Sequence, residues 1–308
     1  SGFLKLTQLK SATFFYSHQT INLINKDNIH VVKFNNSLVG NVKAMQSALS
    51  QMDEIEYAEP NFIYNIVKPI VHSQNALNDI LDIQDNGAYY TPVDAKFDRL
   101  WGLRNTGSNA PAGVQGVEGA DVDAMRAWEI TQGSRAVKIA VIDTGIDTKH
   151  LDLANQITLQ ENFVEQGDES FNSDRHGTAV AGVIAAIANN SIGIYGVAPG
   201  AEILGLKSCS YEDHKKDYAI CSSWTLARAL DFAILESVDI VNFSLSGPQD
   251  NLLTRIINVG LKKEIIFVAA TDDRNDQLGF PASHPDVIAV MAAENQLAGE
   301  LDLQQMKN

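Results

Sequence analysis

The chain reads as an α/β protein, a parallel sheet flanked by helices, preceded by a small α+β unit. Three observations predict this class. Strand-like apolar runs recur at 137–142, 202–207, 239–245, 264–270 and 286–292. Helix-like segments at 176–188, 225–236 and 251–263 lie between them. Before Phe97 the pattern changes to short alternating segments around one amphipathic stretch. Strands that alternate with helices pair in parallel, with the crossover helices covering both faces.

The small unit occupies residues 1–66. FFYSHQTINLI (14–24) alternates like a hairpin strand, HVVKF (30–34) is a short strand, and LVGNVKAMQSALSQM (38–52) spaces Val42, Met45, Leu49 and Met52 as a helix does. IEYAEPNFIYNI (55–66) returns as strand, so a helix laid on a small antiparallel sheet is expected. Residues 67–97 form a connector with the turn cluster Asp85-Asn86-Gly87, an exposed stretch suited to proteolytic nicking. Residues 98–308 carry the alternating pattern.

Bulk properties exclude some functions. With 45% apolar and 20% charged residues the composition is that of an ordinary globular protein. A net charge of −15 argues against a nucleic-acid partner, because phosphate binding needs clustered Lys and Arg. No apolar run approaches the roughly 20 residues of a membrane span. An opening Ser-Gly-Phe without Met reads as an engineered or a processed end, from which any signal peptide would already be gone, so its absence says nothing. Cys209 and Cys221 flank a polar loop. A disulfide closing it is the preferred reading and implies an oxidising compartment. Two free thiols, or a metal site drawing on His214, are the alternatives.

Asp143 ends the apolar run VKIAVI and is followed by Thr144 and Gly145, which places a carboxylate at the carboxyl edge of the sheet. Aspartyl phosphotransfer wants a second Asp where Gly145 stands, and a dinucleotide site wants G-x-G-x-x-G. A serine hydrolase would use the carboxylate to fix a histidine tautomer. His176, opening an Ala- and Gly-rich helix, is the candidate partner, with a capping residue as the plainer alternative.

IAVIDTGIDTKHLDL and HGTAVAGVIAAIANNSIGIYGVAPGAEI resemble the Asp and His signature blocks of the subtilisin-like serine peptidases, the subtilases. The resemblance continues through LWGLRNTG, ADVDAMRAW, DIVNFSLSGP and FPASHPDVIAV, and residues 30–66 are similar to the inhibitory pro-domain of that family. It implies a serine endopeptidase precursor with Asp143 as orienting acid and His176 as general base. Ser244, Leu245 and Ser246 would pair with substrate backbone, and a polypeptide substrate or the pro-domain would lie in that cleft. Asp152 and Asn190 would be side-chain ligands of a structural Ca²⁺, completed by the carbonyls of Ala188, Ile192 and Ile194; a plain turn at Asn189-Asn190-Ser191 is the alternative. A secreted or periplasmic location follows.

Two departures from the family stand out. The nucleophilic Gly-Thr-Ser block is missing: the one Gly-Thr is Gly177-Thr178, and no Ser, Thr or Cys follows Ser283. The chain alone is therefore expected to be inactive, with the serine segment and the rest of the sheet beyond Asn308 or on another chain. Where the family has an oxyanion-donating Asn, IIFVAATDD puts Asp273, or Asp272 with a one-residue shift; Asn275 is a substitute if the loop is rearranged. That substitution favours a second reading, a pseudopeptidase acting as a binding or chaperone module.

Overall fold

The computed structural model of the chain describes residues 2–7, 17–22, 28–34, 42–52, 55, 58–66, 92–110, 116–164, 171, 175–211, 219–272 and 278–291. In the small unit β1 (Gly2–Thr7), β2 (Ser17–Asn22), β3 (Asn28–Phe34) and β4 (Ala58–Pro60) form an antiparallel sheet in the order β2-β3-β1-β4. Helix α1 (Val42–Leu49) buries Met45 and Leu49, four residues apart on one face, and Gln46 Nε2 donates to the carbonyl of Ala58 at 2.9 Å. β1 has no counterpart in the sequence reading. The stretch 55–66, read as one strand, is two: β4 ends at Pro60, and β5 (Ile63–Ile66) joins another sheet. Proline has no N–H to donate and its φ is fixed, so a ladder readily ends there.

Among the described residues the main sheet has six strands: β6 (Lys138–Asp143), β7 (Ile157–Asn162), β8 (Glu202–Lys207), β11 (Ile240–Phe243), β13 (Ile266–Ala270) and β14 (Ile288–Val290). Their order is β14-β13-β11-β6-β8-β7, and every neighbouring pair is parallel. β7 was not anticipated, because ITLQEN interrupts its strand formers with polar residues. Helix α2 (Ala124–Ile130) precedes β6, and α3 (Arg175–Ala185), α4 (Ser223–Leu235) and α5 (Asn251–Leu261) fill the crossovers.

β6 shows how the faces are assigned. Ala140 and Ile142 pack in one core with Leu230 and Ala233 of α4, whereas Ile139 and Val141 pack in another with Ala181 and Ala185 of α3. Strand side chains alternate with period two, so Asp143 falls on the α3 side. The predicted run 239–245 divides at Ser244: β11 stays in the parallel sheet and β12 (Leu245–Ser246) leaves it. β12 joins an antiparallel sheet of order β12-β5-β10-β9, with β9 at Cys209–Tyr211 and β10 at Ala219–Ser222. Among the described residues no helix is long and apolar enough to cross a membrane.

Candidate active site

Two loops meet at the carboxyl edge of the central strand. Asp143, last residue of β6, is fully buried, and His176 is the second residue of α3. The His176 Nδ1 lies 2.8 and 2.9 Å from the two oxygens of Asp143. The Thr144 N–H donates to Asp143 Oδ1 at 2.7 Å, which orients the carboxylate. The start of α3 is stitched to the same turn: Gly177 N donates to Thr144 Oγ1 at 3.1 Å, and Asp147 N to Thr178 Oγ1 at 2.9 Å. Gly177 permits this closeness, since a Cβ there would stand 2.3 Å from the carbonyl oxygen of Gly145. The result is an imidazole whose Nδ1 is engaged by a buried carboxylate, so that proton exchange with a hydroxyl falls to Nε2.

Lys207 also belongs to this corner. It pairs with Asp143 across the β6–β8 ladder, is fully buried, and donates from Nζ to the Thr144 carbonyl at 2.6 Å. Sequence reasoning missed it, although a Lys closing an apolar strand was a legible signal. Buried ammonium groups are costly unless held by acceptors.

Ser244, Leu245 and Ser246 lie beside a strand of the chain's own small unit. Leu245 registers with Ile66 and Ser246 with Asn65, while on the opposite side Ile220, Cys221 and Ser222 register with Asn65, Tyr64 and Ile63. β5 is thus a central strand between two cleft edges. Its approach is anchored at two helix starts. Glu59 accepts from Leu252 N at 3.0 Å and Asn251 N at 3.3 Å on α5, and Asn61 Oδ1 accepts from Trp224 N at 2.9 Å on α4. Acceptors at a helix N-terminus satisfy N–H groups that have no intrahelical partner. Glu59, Asn61 and Tyr64 were not singled out from the sequence, because their partners lie well over 150 residues away. Ser244 Oγ accepts from Asn242 Nδ2 at 3.0 Å. Cys209 and Cys221 face each other across the β9–β10 ladder and are joined in a disulfide; His214 lies outside the described residues.

Asp152, 2% exposed, accepts from Asn190 Nδ2 and from Ile194 N, both at 2.9 Å. Asn190 Oδ1 accepts from Ile192 N at 2.7 Å. Asn189, Ser191 and Gly193 all adopt left-handed backbone (φ 57°, 62° and 55°), and a Cβ on Gly193 would stand 2.2 Å from Asp152 Oδ2. Residues 92–97, assigned to the connector in the sequence, run against this loop. Asp94 accepts from Asn189 N at 2.8 Å and Asn190 N at 3.1 Å, and Lys96 N donates to Gly193 O at 2.8 Å. Asp94 went unnoticed in the sequence. Asp272 is half-buried just beyond β13, and Asp273 and Asn275 lie outside the described residues.

The subtilase family model matches residues 134–303. The chain is 31% identical over 265 residues to a thermophilic serine proteinase of Bacillus sp. (strain AK1), covering 85% of this chain and 55% of that protein. It is 37% identical over 180 residues to the major intracellular serine protease of Bacillus subtilis (strain 168), covering 55% of this chain and 54% of the relative. The crystal structure of fervidolysin from Fervidobacterium pennivorans, described as a keratinolytic enzyme related to subtilisin, superposes with a TM-score of 0.66 at 22% identity. That match covers 94% of this chain and 42% of fervidolysin, so it speaks for the fold. The chain spans about half the length of these relatives. A family match over more than half the chain, on a parallel sheet with Asp143 and His176 at its edge, has one conclusion: the chain belongs to the subtilase family.

Proposed function

We propose that the chain is the pro-domain and front portion of a subtilisin-type serine endopeptidase precursor. The single observation that carries this reading is the Asp143–His176 pair, 2.8 Å apart at the edge of the parallel sheet. Asp143 holds the Nδ1–H tautomer of His176 and stabilises the imidazolium formed when Nε2 takes a proton from a serine hydroxyl. Residues 1–60 are the body of the pro-domain, and β5 is its tail, lying where substrate backbone would pair with Ser244–Ser246. The nucleophile is outside residues 1–308, on a following segment or a second chain, so residues 1–308 alone do not hydrolyse peptides. The disulfide supports an oxidising, extracytoplasmic location.

Ca²⁺ is part of the proposal. The residues that would hold it are the carboxylate of Asp152, Asn190 through Oδ1 once its amide turns from the present Nδ2 contact with Asp152, and the carbonyls of Ala188, Ile192 and Ile194. Asp94 adds a second carboxylate on the same loop. Such a hard, oxygen-only set suits this ion, which would tie residues 92–97 to the catalytic domain.

A fluorophosphonate probe is the direct test. It should label a longer form that carries a Gly-Thr-Ser segment, and lose that labelling on His176→Ala. Covalent labelling of residues 1–308 alone would overturn the assignment of the nucleophile. One observation favours a second reading. The acidic pair Asp272-Asp273 stands where a neutral oxyanion donor is expected, as in a pseudopeptidase retained for binding. A labelled longer form removes that reading.

A further inference from the structure

One side chain of β5 goes where a substrate side chain would go, and its surroundings are polar at the far end. Burial alternates along the strand, with Tyr64 and Ile66 buried and Ile63 and Asn65 exposed. Tyr64 is fully buried, its ring against Gly247; a Cβ at residue 247 would stand 2.3 Å from Tyr64 Cδ1. The hydroxyl lies 3.0 Å from the Pro248 carbonyl oxygen and 3.2 Å from Asp250 Oδ2. Both are acceptors, and a phenol can serve them with its single proton. Asp250 is itself fully buried, and its other oxygen accepts from Leu253 N at 3.0 Å as the cap of α5. The carboxylate is therefore fixed by the helix, whatever enters the pocket.

We propose that this pocket selects tyrosine: Asp250 and the Pro248 carbonyl are specificity determinants for a hydroxylated aromatic residue at the position of a bound polypeptide that pairs with Cys221. The proposal rests on the reading of β5 as occupying the place of substrate. Gly247 admits the ring, and the two acceptors distinguish Tyr from Phe. A phenylalanine would fill the same space but withhold the donor from the buried carboxylate of Asp250, which costs more than the mere absence of a bond. Burial, and then the neighbouring charge of Asp250, hold the Tyr64 phenol well above the ordinary tyrosine range, so the group enters as a donor.

Hydrogen exchange of the segment containing β5, followed by mass spectrometry in the 308-residue chain, tests this. Tyr64→Phe should speed exchange there about ten- to hundred-fold while the β6–β8 core keeps its protection. Asp250→Asn preserves a helix cap, and in that background the Tyr-to-Phe difference should shrink to a few-fold. A free peptide Asn-Phe-Ile-Tyr-Asn-Ile should displace β5 at a concentration at least about ten-fold lower than the same peptide with phenylalanine for tyrosine. Equal potency of the two peptides, or exchange unchanged by Tyr64→Phe while Tyr64→Ala accelerates it, overturns tyrosine selection and leaves the docked strand standing. A wild-type β5 that exchanges as freely as an unstructured peptide overturns the reading of β5 itself.

Discussion

A single added methyl group measures how tightly α3 is pressed to the sheet edge. In an ordinary helix interior, Gly→Ala gains about 1 kcal/mol. At Gly177 the new carbon would meet the Gly145 carbonyl oxygen at 2.3 Å and Asp143 Oδ1 at 3.2 Å. Gly177→Ala should therefore lower stability by about 1–3 kcal/mol, seen as a lower urea midpoint with an unchanged slope. In a form that carries the serine, Asp143→Asn should cut kcat by about four orders of magnitude while KM changes little, because the tautomer and not the binding is disturbed. Steady-state peptide hydrolysis checks it. Asp143 and His176 were legible in the sequence because each sits inside a local pattern, a strand that ends on a turn and a helix of small residues. Asp94 and Tyr64 were not, since what makes them matter is a partner supplied by the tertiary fold.

At the scale of elements, β5 as the proposed pro-domain tail would be a removable strand whose hold depends on protonation. Tyr64 keeps its proton more tightly when buried than when released, because burial and the Asp250 charge, with Glu59 close by, oppose the phenolate. A folded value above the released one means full docking below pH about 10 and progressive loss above it. A pH titration of tyrosinate absorbance should show one tyrosine ionising late, and Tyr64→Phe should remove that component. Glu59→Ala should weaken docking as well, by withdrawing the carboxylate from the start of α5. The crossover helices and five of the parallel strands were readable from period and spacing, since each carries an apolar run of the right length. The division of 55–66 was not. Both halves look like strand, and only Pro60 hinted that one ladder stops before another begins.

For the whole molecule, Ca²⁺ should raise the melting temperature by several degrees at a concentration about 100-fold above its Kd, a gain near 2.7 kcal/mol. A chelator should reverse the gain, and Asp152→Asn should abolish it; no shift by differential scanning calorimetry would remove the ion from the account. The layered α/β arrangement was foreseeable because helices and strands alternate along residues 137–292, whereas the four-stranded sheet that joins the small unit to the rest was not. Its pairings, Ser222 with Ile63 and Leu245 with Ile66, link segments that no local pattern connects. That sheet bears on solubility as well as on recognition. β5 covers two backbone edges at once, and an uncovered edge is a template for any extended chain, including another copy of this one. On the proposed maturation, departure of the small unit would leave β10 and β12 facing a gap one strand wide. A gap of that width would admit a single extended chain and shield both edges from lateral stacking, so a processed form should stay dispersed while still open to one strand at a time.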